Sequence, residues 1–405
     1  MGVKGLLVFL RSINPGIKKK FTFAELAGTK SAIDVAIKTF EYKSRFRSDI
    51  VDKMDLLNDE INFEHETEYM IKSYLQLCWN FLKAKVIPVS VFDGKAPELK
   101  TITQAARRGK YDHGMDKINR LRRIGKLLTN DLEMELGDDD LVFLRDGFPK
   151  PIATIGNLLD RLKTELKASI QVTPEDRAKL WNVLETLGLP CVQAPSEAEF
   201  LCSQLCLQRQ VASVVSKDSD CLMYYCPILI TKVTYLGGHI VPKPPQGELY
   251  LFDDILKITE LTPSAFKDFC IMCGTDFNDN SPGVGPAGNF TLIKTFGSIK
   301  NIIKAKQYLV EYMKINGIEE SGLSKNDKML FKLDTSVYNY DAVIDFMSTP
   351  AVFDPKDLEM KIHKKHKEKI TPLLIEKLPI SLYKKCEIYL DRILDSMSEF
   401  FKPEQ

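Results

Sequence analysis

Apolar positions fall into two rhythms along the chain. Three stretches are continuously apolar and β-branched, and each runs into aspartate: Ser31-Ala32-Ile33-Asp34, Val86 to Asp93 (VIPVSVFD) and Ala212 to Asp220 (ASVVSKDSD). Continuous rather than alternating apolar runs suit strands buried on both faces of a parallel sheet. Elsewhere the spacing is helical, over 66–85 and 175–188. Residues 100–136 read as one long basic helix, too hydrophilic for a core, and Gly137 to Thr154 as a loop. Thr173 caps a helix with Pro174 at its first position, and Ser196 caps one carrying Glu197 and Glu199 in its first turn. Residues 226–242 suggest two strands about a Gly237-Gly238 turn, and from about 262 the pattern is mainly helical. The prediction is an α/β fold with a mostly parallel central sheet flanked by helices and a C-terminal helical region packed on it. Ligands of open α/β sheets bind outside the carboxyl ends of the strands, so the three strand-end aspartates converge on one crevice.

Composition narrows the class. The 405 residues suffice for one large domain or two ordinary ones, with the hydrophobic (44%) and charged (27%) content of globular chains. No apolar run reaches the length of a membrane span, and the start lacks the pattern of a signal peptide. A myristoylation motif wants Ser or Thr where Leu6 stands. The nine cysteines lie mostly in apolar stretches and read as reduced core residues. Cys270 and Cys273 form a C-x-x-C with no partner pair for zinc. The net charge of +1 argues against a chain that coats nucleic acid, but the charge is segregated. Residues 100–129 carry nine Lys or Arg against two Asp, and 131–140 carry six acids and no base. The basic block is either a solvated helix face or a footprint for phosphates.

The carboxylates change the picture most. Asp34, Asp93, Glu197, Glu199, Asp218, Asp220 and Asp276 all fall at strand ends, helix starts or turns. Clustered carboxylates repel, so a crevice holding seven is stable only with cations in it. Hard oxygen ligands suit Mg²⁺ or Mn²⁺. Two such ions about 4 Å apart activate a water and stabilise the leaving oxygen of a phosphodiester.

Five blocks carry a resemblance. Met1-Gly2-Val3-Lys4-Gly5-Leu6, VFDGKAPELK (91–100), APSEAEFLC (194–202), SKDSDCL (216–222) and CGTDFNDNSPGVGP (273–286) resemble, in order and register, the successive blocks of eukaryotic-type flap endonucleases of the 5′ nuclease superfamily. The match covers roughly residues 1–310, and the divergence elsewhere suits a large DNA virus as the source. The resemblance implies a 5′ flap endonuclease and 5′–3′ exonuclease using two Mg²⁺ ions, for which Mn²⁺ substitutes. It implies that Asp34, Asp93, Glu197 and Glu199 hold one metal and Asp218, Asp220 and Asp276 the other. Gly2 would bring the chain's start close to the active site. Lys100 and Arg107 match two cations at the base of a helical arch; seven residues apart, they face one way on a helix. Phe40 falls where the family stacks an aromatic on a base, with a core phenylalanine as the alternative.

Gly283-Val284-Gly285-Pro286 resembles the turn of a helix-two turn-helix near 270–297, where the family contacts phosphate and holds K⁺. Ala287 and Gly288 depart from the basic residues usual there. Asp59, Glu60, Glu64, Glu66 and Glu68 correspond either to the family's acidic wedge beside a 3′ flap or to a solvated loop. Met397, Phe400 and Phe401 resemble a sliding-clamp peptide, although Leu394 replaces its expected Gln. Lys364-Lys365-His366-Lys367 reads as a localisation signal or a phosphate patch. The expected organisation is 1–97 and 171–350 as two nuclease parts, 98–170 as the helical arch, and 351–405 as a helical extension. The implied partners are DNA flaps, nicks or gaps acted on by a monomer, in the nucleus or at a viral replication site. A bubble- or junction-cutting relative and a non-catalytic DNA-binding scaffold are the alternatives.

Overall fold

A computed structural model describes residues 2–97, 100–130, 135–234, 246–348, 360–365 and 367–401. Its centre is a seven-stranded sheet in the order β1-β7-β6-β5-β2-β3-β4. The strands are β1 (Lys19–Thr22), β2 (Lys30–Asp34), β3 (Ile87–Phe92), β4 (Cys191–Gln193), β5 (Ser213–Val215), β6 (Ile228–Thr234) and β7 (Gln246–Leu251). The five from β6 to β4 are parallel, and β7 runs antiparallel to β6 and β1.

Continuous apolar runs sit where both sheet faces are covered. Ala32, Val89, Val91, Val214 and Leu229 point into one core, and Ile33, Phe92, Val215 and Ile230 into another on the opposite face. Each of these valine, leucine, isoleucine and phenylalanine side chains contributes about 1.5–3 kcal/mol on burial. The first core takes α1 (Leu6–Ile13), while α2 (Val35–Val51) and α3 (Phe63–Lys83) serve the second. Asp34 caps α2 by accepting from Ile37 N at 3.2 Å, so one residue ends β2 and starts the helix.

Three helices follow β3: α4 (Thr101–Thr129), α5 (Asp138–Asp146) and α6 (Ile155–Ala168). Two expectations change here. The basic helix is not wholly polar, because Ile118, Leu121 and Ile124 pack with Leu158, Leu162 and Leu166 of α6, Leu57 and Phe148 in a third core. Gly137 to Thr154 is not all loop, because α5 forms with Asp138, Asp139 and Asp140 in its first turn, where the helix dipole favours negative charge. Arg120 and Arg123 both pair with Asp140 and tie α5 to α4.

The chain continues through α7 (Pro174–Leu187), α8 (Ala198–Leu207), α9 (Asp220–Met223) and α10 (Phe252–Thr259). Thr173 and Asp176 form a capping box at the start of α7. The Gly237-Gly238 turn between β6 and β7 lies outside the described residues. From α11 (Pro263–Cys273) and α12 (Pro286–Phe296) onward the described chain is helical: α13 (Ile299–Asn316), α14 (Lys325–Lys332), α15 (Tyr340–Ser348), α16 (Lys367–Lys377) and α17 (Ile380–Glu399). Leu382, Cys386, Leu390, Ile393 and Met397 of α17 close the second core over α3.

Candidate active site

The strand ends converge as parallel topology requires. Asp34 ends β2, Asp93 follows β3, and Asp218 and Asp220 follow β5; Glu197 and Glu199 begin α8, and Asp276 follows α11. A crevice of about 140 Å³ is lined by Asp34, Asp93, Glu197, Glu199, Asp218, Asp276 and Lys100. Asp220 is fully buried. Glu199, Asp218 and Asp220 present carboxylate oxygens within 4.8 Å of one another.

Local hydrogen bonds hold each carboxylate. Asp34 Oδ2 accepts from Ser216 Oγ at 2.8 Å, and the same hydroxyl accepts from Asp218 N at 3.0 Å. Asp218 Oδ1 accepts from Asp220 N at 2.9 Å. Asp93 Oδ1 accepts from Ala198 N at 3.0 Å. That bond corrects the cap assigned to Ser196: Glu197 stands at the N-cap, and its side chain makes no capping bond. The carboxylate serving that N–H follows β3, the parallel neighbour of the β4 strand that leads into α8.

Burial and like charge set the electrostatics. Burial first, then Glu199 and Asp93, hold the Asp34 carboxyl well above its usual range. Burial and Glu199 push Glu197 up to about 9 against the pull of Lys100, and Asp218 up to about 6. Asp93 shifts upward through burial and Glu199, and Asp220 through burial and Asp218. The Lys100 ammonium sits among Glu197, Glu199 at 3.1 Å and Asp276 at 3.4 Å. Burial disfavours its charge, but Glu199, Glu197 and Asp276 outweigh that and raise its pKa. Its other neighbour is the Phe277 ring, 4.9 Å from the ammonium.

One lysine cannot balance this set. Glu197 Oε2 and both carboxylate oxygens of Asp220 are buried and accept no hydrogen bond. Buried carboxylate oxygens without donors are costly unless a cation meets them. An all-oxygen donor set of this kind fits Mg²⁺. Among the described residues, Glu199, Asp218 and Asp220 are the one acidic or thiol-bearing set arranged this closely.

The other expected site residues divide. Gly2 lies against the crevice, with φ +86°, where a Cβ would overlap Asp218 Oδ1. Phe40 sits on α2 with 39% of its surface exposed, so it is not a core residue. Arg107 belongs to α4, and its side chain lies outside the described residues. Gly283 (φ +78°) and Gly285 stand in the turns between α11 and α12, with open space where a Cβ would go. Asn289 Nδ2 holds that unit together by donating to Met272 O at 2.9 Å.

Two groups serve the fold instead. Glu66 is buried against Arg47 (2.8 Å), and Glu68 is buried against Ser381 (2.6 Å) and Lys385, so neither belongs to an exposed wedge. Asp59, Glu60 and Glu64 are exposed. Met397 is buried in the second core, Phe400 packs against it, and only Phe401 is exposed among the three clamp residues. His363 N donates to Gly188 O at 3.0 Å, and His366 lies outside the described residues. Ser216 and Phe277 are site residues that the sequence reading missed. Ser216 could have been found from its place two residues before Asp218; Phe277 gave no signal beyond following Asp276.

Comparison with known proteins assigns the family. Residues 1–113 match the XPG N-terminal domain and residues 188–276 the XPG I-region. Flap endonuclease 1 of Candida albicans is 30% identical over 304 residues, covering 75% of this chain and 70% of that protein. The chain belongs to the flap endonuclease family. Flap endonuclease 1 of Babesia bovis is 27% identical over 311 residues, and there the match spans 77% of this chain but 40% of the relative. A probable RAD2-like endonuclease of Invertebrate iridescent virus 6 is 26% identical over 326 residues, 75% of this chain and 74% of the viral protein. The catalytic core of Rad2, solved in complex with DNA substrate, shares the fold: its TM-score is 0.59 at 17% identity, covering 96% of this chain and all of that one. Family membership makes this a nuclease, and its carboxylate set is that of a metal-dependent one.

Proposed function

We propose that the protein is a structure-specific 5′ flap endonuclease with 5′–3′ exonuclease action, hydrolysing DNA at single-strand/duplex junctions in replication and repair. The observation that carries this is the crevice of strand-end carboxylates with buried, unpartnered oxygens on Asp220 and Glu197. Asp34, Asp93, Glu197 and Glu199 are proposed to hold one Mg²⁺, and Asp218, Asp220 and Asp276 the other. When bound, such ions supply the charge that activates a water and stabilises the leaving oxygen of a phosphodiester, and Mn²⁺ can take their place.

The chain's own groups do the rest. Ser216 ties the Asp34 carboxylate to the Asp218 backbone N–H through one hydroxyl. Lys100, buried among three carboxylates of the crevice, is proposed to meet the scissile phosphate and neutralise charge as it develops. Arg107 is proposed to assist it. Phe40 offers an exposed ring for base stacking, which any base satisfies. The helices α4 to α6, residues 98–170 in all, are proposed as the arch that receives the single strand. The Gly283 and Gly285 turns are proposed to grip duplex phosphate around a K⁺. The reading makes the protein a monomer acting in the nucleus or at a viral replication site. A sliding clamp would have to use Phe401 and a frayed Phe400, because Met397 is committed to the core.

The test is cleavage of labelled flap, gap, bubble and four-way-junction DNAs with Mg²⁺ and with EDTA. Flaps should be cut fastest, and EDTA should abolish cutting. Preference for bubbles or junctions would assign a different nuclease of the superfamily, and no cleavage of any substrate would leave a binding scaffold.

A further inference from the structure

Glu197 is supplied with a donor on one side only. Its Oε1 takes the ammonium of Lys100, which stands at the root of the helical cap formed by α4 to α6. Its Oε2 is buried and accepts no hydrogen bond among the described residues. Tyr224 carries the matching surplus. It is 1% exposed, and its hydroxyl is buried without a hydrogen-bond partner among the described residues. Leaving a buried hydroxyl unpaired is costly, and a phenylalanine would fill the same space without that cost. Packing alone therefore does not call for the oxygen.

The ring is tied to both acidic helices of the site. Tyr224 N donates to Asp220 O at 3.1 Å and so closes α9, which starts at Asp220. The ring meets that of Phe200 edge-on, with centroids 5.0 Å apart, and Phe200 adjoins Glu199 in the first turn of α8. Burial first, then the charges of Glu197, Asp220, Glu199 and Asp218 in that order, hold the phenol proton on its oxygen well above the ordinary range. The hydroxyl is thus a donor at neutral pH, and Glu197 is the carboxylate that acts on it most strongly. Tyr225 is oriented elsewhere: its ring packs on Phe252 at 5.7 Å, and its charged neighbour is Asp268.

We propose that Tyr224 is a positioning residue of the carboxylate site, its hydroxyl donating to Glu197 and holding that side chain in the rotamer that presents it to a bound metal ion. The proposal rests on the reading of the crevice as a metal site. Hydrogen bonds from groups behind the ligands orient them and raise affinity for the metal. At reaction centres such bonds are commonly long in the resting site and tighten when it is loaded.

The experiment compares wild type with Tyr224→Phe, which removes one oxygen and keeps the ring, and with Tyr225→Phe as the control. Mn²⁺ is titrated into the full chain without DNA, and free Mn²⁺ is followed by electron paramagnetic resonance, so no cleavage is needed. Tyr224→Phe should bind Mn²⁺ about tenfold more weakly or worse, the usual loss when such a supporting hydrogen bond is removed. Tyr225→Phe should bind it as wild type does. In EDTA the melting temperature of Tyr224→Phe should stay level or rise, because the hydroxyl it loses has no partner there, and the increment on adding Mn²⁺ should shrink. Mn²⁺ affinity equal to that of wild type would overturn the proposal and leave the nuclease reading intact. A melting temperature lowered equally with and without Mn²⁺ would also overturn it, by reducing Tyr224 to a packing residue. Wild type that binds no Mn²⁺ would instead remove the metal reading of the crevice, and this proposal with it.

Discussion

Among the described residues, Lys100 is the cation that lines the carboxylate crevice, and its surroundings predict a catalytic rather than an affinity role. It touches Glu197, Glu199 and Asp276, so it is positioned before DNA arrives. Lys100→Ala should slow single-turnover cleavage by about a hundredfold or more, the effect of deleting one placed electrostatic stabiliser. Affinity should change far less, and an affinity loss as large as the rate loss would reduce Lys100 to a DNA contact. Asp218→Asn keeps the shape of the side chain and removes its charge. Cleavage at saturating Mg²⁺ should fall below about a tenth of wild type while flap binding persists, since phosphate then meets less repulsion. The same carboxylates tie stability to pH. Asp218, ordinarily near 3.8, is raised to about 6, and Glu197, ordinarily near 4.5, to about 9, so the folded chain holds these protons more tightly than the unfolded one. Their contribution is complete below about pH 4 and is lost as pH rises through about 6 and then about 9. In EDTA the melting temperature should therefore drop between pH 5 and pH 9, and Mg²⁺ should raise it more at pH 9. Calorimetry showing the same Mg²⁺ increment at both values would mean that these groups are not where the metal binds.

Between elements, the decisive contact is a buried ion-pair network that joins the return end of the cap to the sheet's helices. Arg47 of α2 bonds Glu66 of α3 at 2.8 Å, and its guanidinium also donates to Leu166 O and Ser169 O at the C-terminal end of α6. Lys43 reaches Asp176 of α7 at 2.5 Å and Gln171 O at 3.2 Å. Removing one member leaves an unpaired buried charge, so Arg47→Met should cost about 3–5 kcal/mol in urea unfolding. Adding Glu66→Leu should recover much of that loss, and additive costs would show that the two residues are not coupled. Nothing in the sequence announces this network, because its members come from several elements and pair only after folding. That is also why Glu66 and Glu68 read as part of a wedge or of a solvated loop: spacing shows charge but not burial. What was legible was local. The strand ends, the Thr173 cap and the pairs Glu197/Glu199 and Asp218/Asp220 follow from apolar runs, caps and spacing within a few residues. The helix α5 was missed because three successive aspartates suggest a loop, although acids in a first turn favour a helix. The α4 core was missed because Ile118, Leu121 and Ile124 stand among charges and find their partners on α6.

At the scale of the molecule, the sheet order distributes three surfaces around one set of strand ends. Asp34, Asp93, Asp218 and Asp220 occupy the centre at the ends of β2, β3 and β5, helices α4 to α6 follow β3, and a groove lined by Arg11, Lys18, Lys38, Arg45, Lys217 and Lys232 flanks β6 and β7. Between Asp93 and Glu197 lie 103 residues, and the first three of their helices, α4 to α6, share a separate core with Val51 and Leu57, while α7 packs in the second core on the sheet. A helical insertion rooted between two crevice carboxylates and pinned by Arg47 at its return can act on a strand only where that strand meets the crevice. Its leading stretch is basic, with nine Lys or Arg over 100–129, which suits a phosphate backbone drawn in by its end. Passage beneath such a cap demands a free single-stranded terminus and excludes duplex. Free 5′ flaps should thus be cut rapidly, and flaps carrying a bulky 5′ adduct attached before the protein is added should be cut slowly. Bubbles, which offer no end, should be cut slowly as well. The order of addition supplies the control: attaching the adduct after the complex forms should trap DNA already under the cap and leave it cleavable once Mg²⁺ is added. Equal initial rates for blocked and unblocked flaps, or rapid bubble cleavage, would show that the single strand passes outside α4 to α6.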